Sequence, residues 1–134
     1  MGAWEAGNFS NDDAMDWLEE VYDSEDTGAI EEALRCVTEP SASEDLEAGD
    51  CSQALAAAEL VAAVKGCPAP DLPEEAREWL QQHVRRLSKD LVQLAIRATK
   101  RVAKKSELRE LWEESDHFAQ WQKALQDLQA RLVG

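Results

Sequence analysis

Eleven consecutive residues, Ala54 to Val64, are apolar except for Glu59. Alanine dominates the run, and alanine is the best helix former. A helix that is apolar almost all round has no face to turn to water, so it belongs at the centre of a fold, covered on several sides. Gly66 supplies a stop just beyond it. The expected helix runs from about Cys51 to Lys65. Whatever this chain folds into must therefore provide enough amphipathic segments to wrap that one.

Those segments are present. Ala14, Trp17, Leu18, Val21 and Tyr22 recur at the spacing of one helix face, which predicts a helix over about Asn11 to Tyr22. Ser10 is in place to cap it, and Asp12 and Asp13 suit the positive end of its dipole. Thr27 precedes a second helix with the inner stripe Ile30, Ala33, Leu34 and Val37, stopped before Pro40. Glu39 to Gly49 reads as an acidic linker. Cys67 to Pro73 holds Pro68, Pro70 and Pro73 and reads as a stiff, extended connection. A fourth helix starts near Glu74 and buries Ala76, Trp79, Leu80 and Val84. A fifth runs from Lys89 to about Ala103 on Leu91, Leu94, Ala95, Ala98 and Val102. Leu108, Leu111 and Trp112 follow Ser106, and a last helix carries Phe118, Trp121, Leu125, Leu128 and Leu132. Strand alternation is nearly absent. The fold class expected is all-α: one domain over residues 1–134, a compact bundle of five to seven helices around the Ala-rich one. A chain of 134 residues can bury roughly two thirds of its unfolded surface, enough for such a core.

Charge divides the chain in two. Residues 1–64 hold seventeen acids and a single base, Arg35, whereas residues 65–134 hold eleven acids and thirteen bases. The net charge of −14 repels nucleic acid and anionic lipid and speeds encounter with basic proteins. No secretory signal or membrane-length apolar run is legible, so the cytoplasm is the expected compartment. Cys36, Cys51 and Cys67 are odd in number and too widely spaced for a disulfide framework or zinc site. They read as reduced, mostly buried small hydrophobes.

Catalytic motifs are absent: no phosphate-binding glycine loop, no nucleophile elbow, no metalloprotease helix. Asp12, Asp13 and Asp16 are the best candidates for a hard cation, since Asp12 and Asp16 lie one turn apart. The glycine and terminal glutamate of a calcium loop are missing, however, and capping plus a solvated face accounts for the cluster without an ion. Glu114 and His117 have the Glu-x-x-His spacing of di-iron bundles. His83 has Leu80 where the second pair needs a glutamate, so no di-iron site is expected. Arg97, Lys100, Arg101, Lys104 and Lys105 form a basic stripe without interleaved aromatics, better suited to solvent or to the acidic half than to nucleic acid.

The first seventeen residues bring together Trp4 between Gly2 and Gly7, then Phe9, then the acidic helix start. Phe9 can staple the loop to the helix, and Trp4 is in position to act as an aromatic anchor beside an acidic face. The segments Met1-Gly2-Ala3-Trp4, Phe9-Ser10-Asn11-Asp12-Asp13-Ala14 and Asp16-Trp17-Leu18 resemble the DUF4259 family of small bacterial proteins of unknown function. The Ala-rich helix, the segment from Ser106 to Trp112 and the closing helix from Trp121 to Leu132 are compatible with that resemblance. Glu5 departs from it, standing where a glycine is expected after Trp4. The resemblance implies one bacterial domain and brings no reaction, cofactor or catalytic residue. The leading expectation is an acidic, non-enzymatic interaction protein, in its most concrete form an immunity protein or antitoxin that blocks a basic partner. Trp4, Phe9, Asp12, Asp13, Asp16, Glu19 and Glu20 are the expected contact residues, with no cofactor or metal. The alternative is a metal-dependent enzyme built on Asp12, Asp13 and Asp16.

Overall fold

In the computed structural model, Ala54 to Ala62 are all buried, with Ala56, Ala57, Ala58, Leu60 and Ala62 at zero exposure. They lie in the helix α3 (Ala48–Val64), around which the others are arranged. The structure describes residues 12–24, 26–40, 44, 46–70, 72–84 and 88–133. Among these all regular structure is helical: α1 (Asp12–Tyr22), α2 (Gly28–Thr38), α3, α4 (Glu74–His83), α5 (Lys89–Lys104), α6 (Glu107–Glu113) and α7 (Phe118–Val133). The seven helices form one bundle, and α3 touches each of the other six. Alanine makes that possible, because its small side chain lets neighbouring helices approach closely from every direction.

Five of the six outer helices contribute a buried apolar stripe; α6 has no fully buried residue and packs Leu108 and Trp112 half-buried against the core. Trp17, Leu18 and Val21 of α1, Ile30, Leu34 and Val37 of α2, and Leu125, Leu128 and Leu132 of α7 are all buried. Burying each such side chain stabilises the fold by roughly 1.5–3 kcal/mol. Trp79 of α4 is buried too, and its indole N–H donates to the Ser24 carbonyl at 3.0 Å, which ties α4 to the end of α1.

Helix α3 begins at Ala48, three residues earlier than its own apolar pattern predicts, and takes in the last two residues of the expected acidic linker. The reason lies elsewhere in the chain. The N–H of Ala48 donates to Glu107 Oε1 at 3.0 Å, and the N–H of Glu107 donates to the Leu46 carbonyl at 2.9 Å. The starts of α3 and α6 thus satisfy each other's unpaired backbone groups. Leu46 is buried just ahead of the helix. The other end is local. Gly66 has φ 95°, and the N–H groups of Gly66 and Cys67 donate to the carbonyls of Ala63 and Ala62, each at 3.0 Å. This is the glycine-terminated motif that the sequence predicts there. Ser88 and Ser106 cap α5 and α6, their hydroxyls accepting from the N–H groups of Leu91 and Arg109.

Among the described residues, one charged group enters the core. Glu59 of α3 is 3% exposed. Arg131 of α7 meets it with a two-pronged contact, Nη1 to Oε1 at 2.7 Å and Nη2 to Oε2 at 3.1 Å. The same guanidinium donates to the Cys67 carbonyl at 3.1 Å and to Asp127 Oδ2 at 2.9 Å. A buried carboxylate is tolerated only with this kind of satisfaction.

Candidate functional site

The first helix presents opposite chemistries on its two sides. Its inner side is Ala14, Trp17, Leu18 and Val21. Its outer side carries Asp12, Asp13, Asp16, Glu19 and Glu20, all exposed, with exposed Asp23 just beyond the last turn. Met15, 44% exposed, lies among them. The chain places six carboxylates in twelve residues with no cation between them. No described side chain forms an ion pair with any of the six; the described ion pairs fall on Glu31, Glu59, Glu113 and Asp127.

This face works against the helix that carries it. Asp12–Asp16, Asp16–Glu20 and Glu19–Asp23 are like-charge pairs one turn apart, and Asp13–Asp16, Asp16–Glu19 and Glu20–Asp23 are three residues apart. Together they cost about 1–3 kcal/mol. Glu19, Glu20 and Asp23 also stand at the negative end of the helix dipole, where no base offsets them. Burial of Trp17, Leu18 and Val21 contributes roughly 5–9 kcal/mol and outweighs this repulsion. The helix is therefore held by its inner side and carries its outer side as an unfavourable load.

Tyr22 registers the resulting potential. Its phenol is pushed up from 10.0 to about 12, first by burial and then by the carboxylates of Glu75 and Glu19. Glu75, in the first turn of α4, thus extends the negative surface beyond α1, a contribution the sequence pattern alone does not reveal. Asp13 differs from its neighbours. A Cβ placed on Gly49 would meet Asp13 Oδ1 at 3.6 Å, so this carboxylate lies against the first turn of α3. There it faces the positive end of a second helix dipole. The expected cluster is thus divided: Asp13 leans on the fold, while Asp12, Asp16, Glu19, Glu20 and Asp23 face solvent.

A family model described as a domain of unknown function, DUF4259, matches residues 2–124. The chain belongs to this family. The match reaches into all seven helices of this DUF4259 member, so the acidic α1 face and its supporting core lie within the family domain. No curated protein and no solved structure matches the chain.

Other sequence expectations fall as follows. Trp4, Phe9 and the Ser10 cap lie outside the described residues. Among the described residues no three His, Cys, Asp or Glu side chains are grouped as metal ligands would be, and no helix is long and apolar enough to cross a membrane. Trp17, Trp79 and Trp121 are buried as their stripes predict; Trp112 is half-buried and stacks on Trp121, with ring centroids 6.4 Å apart. The cysteines need a correction. Cys51 is buried, but Cys67 is only half-buried and Cys36 is exposed. The inner stripe of α2 passes through Ala33, Leu34 and Val37 and turns Cys36 outward. In the basic stripe, Arg101 is the half-buried member, and its Nη2 donates to the Glu44 carbonyl at 2.6 Å.

Proposed function

We propose that this chain is a non-enzymatic interaction protein that captures a basic protein through the outer face of α1, acting in the cytoplasm, and that its most concrete form is an immunity protein or antitoxin blocking a cationic partner. One observation carries the proposal: six carboxylates on and beside one helix, exposed and without an ion-pair partner among the described residues. Such a surface destabilises its own helix, and a cationic partner would relieve that repulsion on docking. Complementary charge raises the association rate and orients the encounter. Asp12, Asp16, Glu19 and Glu20 supply the charge, Asp13 the margin nearest α3, and Trp4 and Phe9 the aromatic anchor ahead of the helix. The exposed Met15 offers an apolar contact amid the carboxylates.

The test is capture from the native host by the intact chain and by the variant Asp16→Lys/Glu20→Lys. The proposal expects one predominant basic protein, retained at about 50 mM salt, released at about 500 mM, and not retained by the variant. Equal recovery on both chains, or recovery that salt does not weaken, sinks it.

A further inference from the structure

The groove between α2 and α5 reverses the charge of its surroundings. It is an open depression of ≈ 420 Å³, lined by Arg35, Thr38 and Glu39 from the α2 side and Leu94, Arg97 and Arg101 from α5. Three guanidinium groups thus face one carboxylate, in a chain with 28 acids and 14 lysines and arginines. Arg35 is the single base of residues 1–64, and it stands on this groove. A second depression of ≈ 310 Å³ shares Arg35, Leu94 and Arg97 and extends the groove to Thr27 and Glu31 on the α2 side and to Ser88 and Asp90 at the start of α5.

The three arginines are committed to different degrees. Arg35 pairs with Glu31 at 2.6 Å, but the two side chains are 54% and 43% exposed, and such a pair is readily exchanged. Arg101 is anchored to the Glu44 carbonyl, which holds its guanidinium at the wall. Arg97 is exposed, and no described group hydrogen-bonds or ion-pairs with its side chain. The lysines of the same helix, Lys89, Lys100 and Lys104, do not line the groove. Its cations are all arginine, whose planar fork matches the oxygens of a phosphate two at a time. Leu94 gives the site an apolar floor. Beside it, Glu31, Glu32 and Glu39 line the outer flank of Arg35. Glu39 also borders the groove and Glu31 its extension, so a long polyanion would meet all of these carboxylates, whereas a compact anion held on the Arg97 side would meet fewest.

We infer that the α2–α5 groove is a binding site for a small phosphate-bearing ligand, held by Arg97 with Arg35 and Arg101. The site is separate from the outer face of α1 and does not rest on the function proposed for it. Calorimetry and thermal unfolding of the intact chain with inorganic phosphate, inorganic pyrophosphate and glycerol phosphate test it. Saturable binding of at least one probe is expected, weakened about tenfold or more by Arg97→Gln and only partly restored by Arg97→Lys, which lacks the fork. Binding of glycerol phosphate but not of the inorganic anions marks an organic ester as the ligand, and the reverse marks a free anion. The inference is overturned if no probe binds, or if Lys100→Gln weakens binding as much as Arg97→Gln does. It is also overturned if sedimentation shows a salt-sensitive self-association that Arg97→Gln abolishes, because the groove would then receive the acidic face of a second copy.

Discussion

Glu59 and Glu20 are the same residue type on helices that pack together, yet the fold handles them in opposite ways. Glu59 sits in α3, almost without exposure, and Arg131 meets both of its oxygens. Glu20 sits on α1 in water, among like charges, with no described cation beside it. The seam between α3 and α7 uses charge to fix how two helices meet. Apart from Asp13, which lies against α3, the charges of the α1 face oppose one another and are carried by the apolar side beneath them. The lesson is that net charge alone does not locate a functional surface; what matters is which charges the fold leaves unmatched.

The largest expected effect comes from breaking the matched pair. Arg131→Met leaves Glu59 buried without its cation and should cost about 3–5 kcal/mol in denaturant unfolding. Adding Glu59→Leu should restore most of that loss, because a well-packed apolar pair often replaces a buried ion pair without penalty. A loss below about 1 kcal/mol for the single variant would place this seam with ordinary surface pairs and collapse the contrast with α1.

Alkaline titration separates the two regions at an intermediate scale. Cys51, fully buried at the start of α3, is pushed up from 9.0 to about 11, foremost by burial, against a smaller lowering by a hydrogen bond with Ser106. Its thiol is neutral in both states below pH 9, so its contribution to stability is complete there. As pH rises, the unfolded chain loses the proton first, and the contribution disappears on passing through pH 11. The expected fall is on the order of 2 kcal/mol, read from unfolding under reducing conditions and removed from the pH slope by Cys51→Ala. Tyr22 acts in the same direction over a higher window, from 10.0 to about 12. Part of its shift comes from Glu75 and Glu19, so high salt or Glu75→Gln should lower its titration midpoint, read by phenolate absorbance. Salt should leave the Cys51 part nearly unchanged, since burial is its leading cause. Equal salt sensitivity of both would refute the account.

The two regions also differ in how far the sequence discloses them. The α1 face is a local pattern: its apolar stripe and its carboxylates repeat within one helix, so their separation onto two sides follows from period alone. The centrality of α3 is equally legible, since no other position suits a helix without a polar side. The Glu59–Arg131 seam is not legible, because its partners stand 72 residues apart and no local rule links them. The early start of α3 escapes for the same reason: its cap comes from Glu107, 59 residues away. The α2–α5 groove joins Arg35 to Arg97 and Arg101 only through helix packing. Cys36 was legible in principle, because the α2 stripe that places Leu34 and Val37 inside places position 36 outside.

The smallest effect has the opposite sign to the first. Asp16 has like charges at positions 12, 13, 19 and 20, which makes it the centre of the repulsion on α1. Asp16→Lys removes all four repulsions and should stabilise the chain by about 1–2 kcal/mol at low salt. The gain should shrink as salt is raised, because these charges are exposed and screened. The same substitution should weaken capture of a basic partner. A variant that is more stable yet binds less well is the signature of a surface kept for binding at the expense of the fold. If Asp16→Lys instead destabilises the chain, the outer face of α1 contributes to folding after all, and it loses its distinction from the α3–α7 seam.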